Sequence, residues 1–237
     1  DRLYTANQGD HSVSAIDLGA AREIKRVKVV RQPAGLAVAA DGARLVVTNL
    51  LPLGAGTNPK LGAEVSILDT AGLDNPRNVK LPPGSTAVSG VCVSPDGKWA
   101  YVVFTLGRFN LPITQLQRGW VHTYALSIID LGAAQVLATL LLDDLSGGAA
   151  DPWDVVCSKD GRTLWISHAG THEVSIIDAQ LVHQLLGGKV PEELSKLKDG
   201  IRENIWVRIA RDRGEVAKLP IDLTALYIAG ATRRCDT

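Results

Sequence analysis

The chain has 237 residues, of which 46% are hydrophobic and 21% charged, so it is long enough to bury a sizeable core. Lys plus Arg and Asp plus Glu both number 25, and the resulting zero net charge gives no reason to expect nucleic acid or an anionic membrane as partner. Its apolar stretches are far shorter than the roughly 20 residues that span a bilayer.

The predicted elements repeat along the chain. Residues 3–17 read LYTANQGDHSVSAID, and residues 164–178 read LWISHAGTHEVSIID, so the two segments align without a gap. Two further copies with longer interiors run from residue 45 to 69 and from 100 to 130. Self-similarity of this kind indicates a repeat architecture.

Three copies follow a short apolar run that ends in Asp-Gly, a dipeptide typical of tight hairpin turns. These runs are GLAVAADG (35–42), GVCVSPDG (90–97) and DVVCSKDG (154–161). Each unit is therefore predicted to hold four short antiparallel strands, with a period of roughly 50–60 residues. A four-stranded sheet has two apolar faces that it cannot bury alone, so we expect the units to stack as blades.

The runs LVVTN (45–49), SPDG (94–97) and VSIID (174–178) resemble the YVTN/SPDG/VSVID pattern of YVTN-repeat β-propellers, a family of bacterial secreted and surface proteins. The resemblance covers about residues 2–180. It implies an all-β propeller in the periplasm or outside the cell. Some members carry a cytochrome c module, but this sequence has no CxxCH and no evident cofactor motif. A haem is therefore expected only on a missing segment or on a partner chain.

The predicted blades form one domain, and the last contains a helical insertion near 179–230 that starts with a helix at 179–186. The blade boundaries are 1–31, 32–84, 85–145 and 150–237. The first copy lacks its innermost strand, and residues 231–234 are predicted to resume the outermost strand of the last. We therefore expect about 3.5–4 blades of a larger, seven-bladed propeller, completed by further sequence or another chain. A closed four-bladed ring is the alternative.

The long insertions at 50–63 and 105–123 both connect the second and third strands of a copy, which predicts that they lie on one face. Such clustering is typical of a binding face, although surface insertions can also simply be tolerated. Four residues of the longer insertion are candidates for binding a protein partner: Arg108, Arg118, Trp120 and His122. Trp and Arg are frequent hot spots, and a loop that folds onto its own blade is the alternative.

Four residues are candidates for binding a ligand at the mouth of the central channel: Asp151, Trp153, Asp154 and His168. Asp154 stands where two other copies have Gly35 and Gly90, and His168 stands where the same two copies have Asn49 and Phe104. Asp154 and His168 could form a hydrogen-bonded or metal-binding pair, although a structural role is the alternative for each.

Two smaller sets of residues are predicted to be structural. The first ends the third strand of each copy and is expected to accept backbone N–H groups: Asp17, Asp69, Asp130 and Asp178. The second comprises Cys92 and Cys157, which are expected to be buried as thiols without a disulfide. The sequence also contains Cys235, so the cysteine count is odd.

Two functions stay open at this point. One is a non-catalytic scaffold that presents the enlarged loop face to a protein or small-molecule partner. The other is an enzyme or redox-enzyme subunit, such as a lactonase-like hydrolase or a cytochrome-associated dehydrogenase, with chemistry at the channel mouth. The sequence contains no GxSxG, HExxH or P-loop pattern, so the catalytic residues stay unknown and no metal-binding motif is assigned, and chemistry at the channel mouth would use Asp151, Asp154 and His168.

Overall fold

The computed structural model describes residues 1–74, 76–107, 122–143, 148–189 and 232–236, the last of these as backbone only. Within this part, the chain forms four antiparallel sheets and one short α-helix, so the predicted all-β class is confirmed. No helix in the described ranges is long and apolar enough to cross a membrane.

Each sheet takes its strands from one continuous stretch of chain. The first sheet has three strands: β1 (Arg2–Asn7), β2 (Ser12–Asp17) and β3 (Arg22–Lys28). The second has four: β4 (Pro33–Val38), β5 (Arg44–Asn49), β6 (Glu64–Asp69) and β7 (Arg77–Lys80). The third has five: β8 (Ser85–Thr86), β9 (Val91–Val93), β10 (Trp99–Gly107), β11 (His122–Asp130) and β12 (Gln135–Leu141).

The fourth sheet has four strands: β13 (Pro152–Cys157), β14 (Thr163–His168), β15 (Glu173–Asp178) and β16 (Thr232–Asp236). The helix α1 (Ala179–Leu186) follows β15 directly, as the sequence predicts, and β16 pairs with β15 as the resumed outer strand. The rest of the predicted insertion lies outside the described residues. Asp178 caps the helix by accepting the Leu181 N–H at 2.9 Å.

The predicted Asp-Gly turns are confirmed and share one geometry. Gly42, Gly97 and Gly161 have φ angles of 69°, 69° and 73°, which is the left-handed region that glycine favours. The predicted role of the strand-ending aspartates is also confirmed at three positions. Asp17 and Asp130 each accept two backbone N–H groups and Asp178 accepts one. Among the described residues, the Asp69 carboxylate accepts no backbone N–H, and its backbone carbonyl accepts the Leu73 N–H instead.

The sheets stack in chain order and enclose three apolar cores, one at each junction. Along β5, Val47 packs toward the first sheet and Val46 toward the third. Along β10, Val102 packs toward the second sheet and Tyr101 toward the fourth. Because side chains alternate along a strand, both faces of the two middle sheets are buried, and each fully buried aliphatic side chain stabilises the stack by about 1.5–3 kcal/mol.

The innermost strands β4, β9 and β13 also contact one another in sequence, so closely that only glycine fits at two points. A Cβ atom on Gly35 would lie 2.4 Å from the Ser89 carbonyl oxygen. A Cβ on Gly90 would lie 2.5 Å from the Asp154 Cα. Residues 35, 90 and 154, which align in the sequence repeat, therefore also occupy equivalent places in the structure, at the contacts between innermost strands. Cys92 and Cys157 are free thiols, as expected, but both are half-buried rather than buried, at the edge of the apolar core between the third and fourth sheets. The Cys235 side chain lies outside the description.

Candidate functional site

The enlarged loops meet on one side of the stack. The insertion at 50–63 and the link between the second and third sheets are joined by a bond from the Gly84 N–H to the Leu61 carbonyl, at 2.7 Å. The Gly107 N–H donates to the Gly84 carbonyl at 2.9 Å, which brings the start of the second insertion to the same place. The prediction that these segments share a face is confirmed for the described residues.

Three of the predicted partner-binding residues, Arg108, Arg118 and Trp120, lie outside the described residues. His122 is the first residue of β11 and is exposed. It pairs with Gly107 across the hairpin, so it stands at the base of the insertion. A partner-binding role for these four residues stays a prediction.

His168 has a structural environment that the sequence did not predict. Its side chain is only 2% exposed, Nδ1 lies 3.0 Å from the Ala149 carbonyl oxygen, and Nε2 lies 2.7 Å from the Ser175 hydroxyl. The predicted pair with Asp154 is therefore not formed, because both ring nitrogens have other neighbours. The Asp154 carboxylate instead accepts the Val155 N–H at 2.8 Å.

The same hydrogen-bond pattern recurs in the first and second sheets through Asn7 and Asn49, whereas the third sheet has Phe104 at this position. Asn49 donates to the Ser66 hydroxyl at 3.1 Å, and Ser66 donates to Asn78 at 2.8 Å. In the first sheet, Asn7 donates to Ser14 at 2.7 Å. In the first, second and fourth sheets, the polar side chain links the second strand to a serine of the third strand by a hydrogen bond. The repeated polar residue at this position therefore has a structural role.

The remaining channel-mouth residues are accessible to solvent. Trp153 is 68% exposed and lines a shallow cavity of about 260 Å³ together with Ser167, Val174 and the buried His168. Asp151 and Asp154 are exposed, and Asp151 has a φ of 50°, an uncommon conformation for a residue other than glycine. The structure thus brings Trp153 to a concave surface, although this cavity is smaller than most ligand pockets.

A larger cleft, which sequence reasoning missed, lies on the opposite side of the stack from the enlarged loops. It has a volume of about 580 Å³, is bounded by the Asp-Gly turns of the third and fourth sheets and by α1, and is called here the turn-side cleft. Its lining residues are Ser94, Pro95, Asp96, Trp99, Tyr101, Asp160, Gly161, Arg162, Gln180, His183, Gln184, Gly187 and Lys189. The predicted helix at 179–186 was the only sequence signal for it.

Three aromatic side chains form the inner wall of the turn-side cleft. The Tyr101 hydroxyl lies 2.9 Å from His183 Nε2, and the Trp99 and His183 rings are 5.0 Å apart with an interplanar angle of 31°. Burial lowers the pKa of His183 and raises the pKa of Tyr101. The imidazole therefore favours its neutral form, in which Nε2 can accept a hydrogen bond from the Tyr101 hydroxyl.

The carboxylates at the rim are held by their own turns. Asp160 accepts the Ser158 hydroxyl at 2.5 Å and the Arg162 N–H at 3.1 Å. These two hydrogen bonds hold the pKa of Asp160 below its ordinary value. Among the described residues, no group of three or more His, Cys, Asp or Glu side chains is placed to bind a metal ion.

Comparison with known proteins places the chain near one enzyme subunit, and no family model matches it. It is 30% identical over 133 residues to the hydrazine synthase subunit beta of Kuenenia stuttgartiensis. The match covers 55% of this chain and 34% of that protein, so the chain spans about a third of the relative's length.

Two solved structures share the fold. One is Kuenenia stuttgartiensis hydrazine synthase, with a TM-score of 0.56, 24% identity, and coverage of 84% of this chain and 67% of that chain. The other is a functionally unknown protein from Desulfotomaculum acetoxidans DSM 771, with a TM-score of 0.52 and 14% identity. That match covers 75% of this chain and 47% of the other.

Proposed function

We propose that the chain supplies four blades of a larger β-propeller, and that this propeller binds other protein chains in an enzyme complex related to hydrazine synthase. The observation that carries the proposal is the 30% identity over 133 residues to a hydrazine synthase subunit. The shared fold with a hydrazine synthase structure over 84% of the chain supports it.

The two ends of the stack support a larger propeller. Trp165 of β14 is 37% exposed, whereas the residues at its repeat position, Tyr101 and Val46, are 1% and 0% exposed. Leu3 of β1 is 47% exposed, and its equivalent Leu45 is 0% exposed. Both end faces therefore carry the residue types that are buried between sheets elsewhere. Further four-stranded blades, on a longer chain or on a partner, would cover these faces. The proposed ring has seven blades.

The environment of His168 supports binding more than catalysis at the channel mouth. A general base or metal ligand needs a nitrogen that can reach substrate or metal, and both nitrogens of His168 face groups of the protein. The second candidate function keeps chemistry in this chain at Asp151 and Asp154, which are exposed. In either case, we place any haem of the complex on a further segment or a partner chain, and the complex in the periplasm or outside the cell.

The test is purification of the tagged full-length protein from its native source, followed by native mass spectrometry. We expect a defined complex of fixed stoichiometry that contains other enzyme subunits, and a protein found only as a free monomer would contradict the proposal. The double variant Trp153→Ser and Trp165→Ser is expected to weaken the complex. The matched control is Leu18→Ser, which removes a 54% exposed apolar side chain from a turn of the first sheet and should leave the complex intact.

A further inference from the structure

We propose that the turn-side cleft binds a small anionic ligand that contains a planar aromatic ring. This site lies on the side of the stack opposite the enlarged loops and does not rest on the proposed propeller or complex. Its volume of about 580 Å³ falls inside the range of roughly 300–1,000 Å³ that is usual for small-molecule sites.

The accessible parts of Trp99 and His183 on the inner wall supply a surface for a flat ring. Trp99 is half-buried, Tyr101 is almost fully buried, and His183 packs against both rings. The Tyr101–His183 hydrogen bond ties α1 to β10 and fixes the position of the imidazole. Aromatic side chains that are held rigidly offer contact area to a ligand ring at little cost in conformational entropy.

The charges at the rim favour an anion, because Lys98 pairs with Asp96 at 3.4 Å. This pairing leaves one carboxylate, Asp160, beside two cations, Arg162 and Lys189. The carboxylates of Asp96 and Asp160 already accept hydroxyl and backbone N–H groups within their own turns. Arg162 and Lys189 line the same cleft and are exposed, and neither forms an ion pair or a side-chain hydrogen bond within the described part of the chain. The rim therefore offers cationic donors, and the fork of an arginine matches a carboxylate.

The helix adds neutral polar groups at a fixed spacing. Gln180 and Gln184 are four residues apart on α1, so they lie on one face of the helix, and both line the cleft. An amide both donates and accepts hydrogen bonds, so these side chains can recognise a polar substituent on the ring. The site thus combines an aromatic wall, a cationic rim and neutral amides.

The test compares three probes of equal size by isothermal titration calorimetry on the full-length protein: 2-naphthoate, 2-naphthalenemethanol and 2-naphthylmethylammonium. We expect naphthoate to bind at least about tenfold more tightly than the neutral alcohol, because it gains charge-assisted hydrogen bonds, and the ammonium probe to bind most weakly. Equal affinities, no binding by any probe, or a preference for the ammonium probe would overturn the proposal.

Variants locate the binding. Arg162→Gln combined with Lys189→Gln should remove the preference for naphthoate, whereas Arg22→Gln, an exposed cation on the first sheet, should leave it unchanged. Circular dichroism spectra of these variants would check that they remain folded. Naphthoate should also shift the NMR signals of the His183 ring and not those of His122. An unchanged preference in the double variant, or shifts confined to His122, would place binding elsewhere and refute the assignment.

Discussion

The first and fourth sheets, at the two ends of the stack, contain the same repeat but differ in the residues on their uncovered faces. On the first sheet, Ser14 is 3% exposed although no sheet covers it, because it is hydrogen-bonded between Asn7 and Glu23. Arg26 then bridges Glu23 and Asp10 at the edge of this face. A network of polar side chains therefore covers Ser14 on this face, while Leu3 at the edge of the sheet stays 47% exposed.

The fourth sheet lacks such a network on its free face in the described part of the chain. Trp165, Val156 and Trp153 are 37%, 52% and 68% exposed there. A contiguous exposed apolar patch on a sheet often marks a contact with another element. The repeat therefore sets the register of the strands in both sheets, while the residue types at the outward-facing positions decide whether that face is stable in water.

The largest effect is expected at the tight contact between innermost strands. Gly90→Ala places a Cβ 2.5 Å from the Asp154 Cα. The backbones at Gly90 and Asp154 cannot separate without loosening the apolar core between the third and fourth sheets. We expect it to lower the free energy of unfolding by about 3 kcal/mol. Asp154→Ala changes the equivalent position at the end of the stack, where the side chain is exposed, and should cost less than about 0.5 kcal/mol. Urea denaturation measures both, and equal losses would contradict the account.

An intermediate effect is expected at the repeated polar position. His168→Ala leaves the buried Ser175 hydroxyl and Ala149 carbonyl without their ring partner, so the free energy of unfolding should fall by about 2–4 kcal/mol. Asn7→Ala removes the equivalent bonds from a half-buried site that water can reach, and should cost about 1 kcal/mol or less. Thermal and urea unfolding of the two variants would show whether the buried position costs more, and the reverse order would refute this difference.

Much of the fold, but little of the site, could be predicted from the sequence. The repeat locates the strands and the Asp-Gly turns, and the change of pattern after Asp178 locates α1, because these follow from local turn chemistry and periodicity. The burial of His168 could not be read from its repeat position, since a serine seven residues later and a carbonyl from a preceding link decide its contacts. The turn-side cleft was missed for a similar reason. It joins Trp99 and His183, which are distant in sequence and meet only through α1.

The smallest effect is expected on the acid dependence of stability, through the carboxylate of Asp10. Hydrogen bonds from Lys28, Ser12 and Arg26 hold the pKa of Asp10 well below its ordinary value of 3.8. Since the folded state depresses this pKa, its stabilising contribution is complete above about pH 4 and is lost as the pH falls further, when the carboxylate is protonated. Asp10→Asn should therefore flatten the pH dependence of the melting temperature below pH 4. Asp41→Asn, an exposed carboxylate in a turn, is the control, and an unchanged slope in Asp10→Asn would contradict the role of this network.

The central claim is that the free face of the fourth sheet is built to be covered by another blade. A structure of the full-length protein in its native assembly tests this most directly, by showing what lies against Trp165. The account predicts a further four-stranded antiparallel sheet there, with Trp165 as buried as its equivalent Tyr101, which is 1% exposed. If Trp165 remains in contact with water in that assembly, the account is wrong.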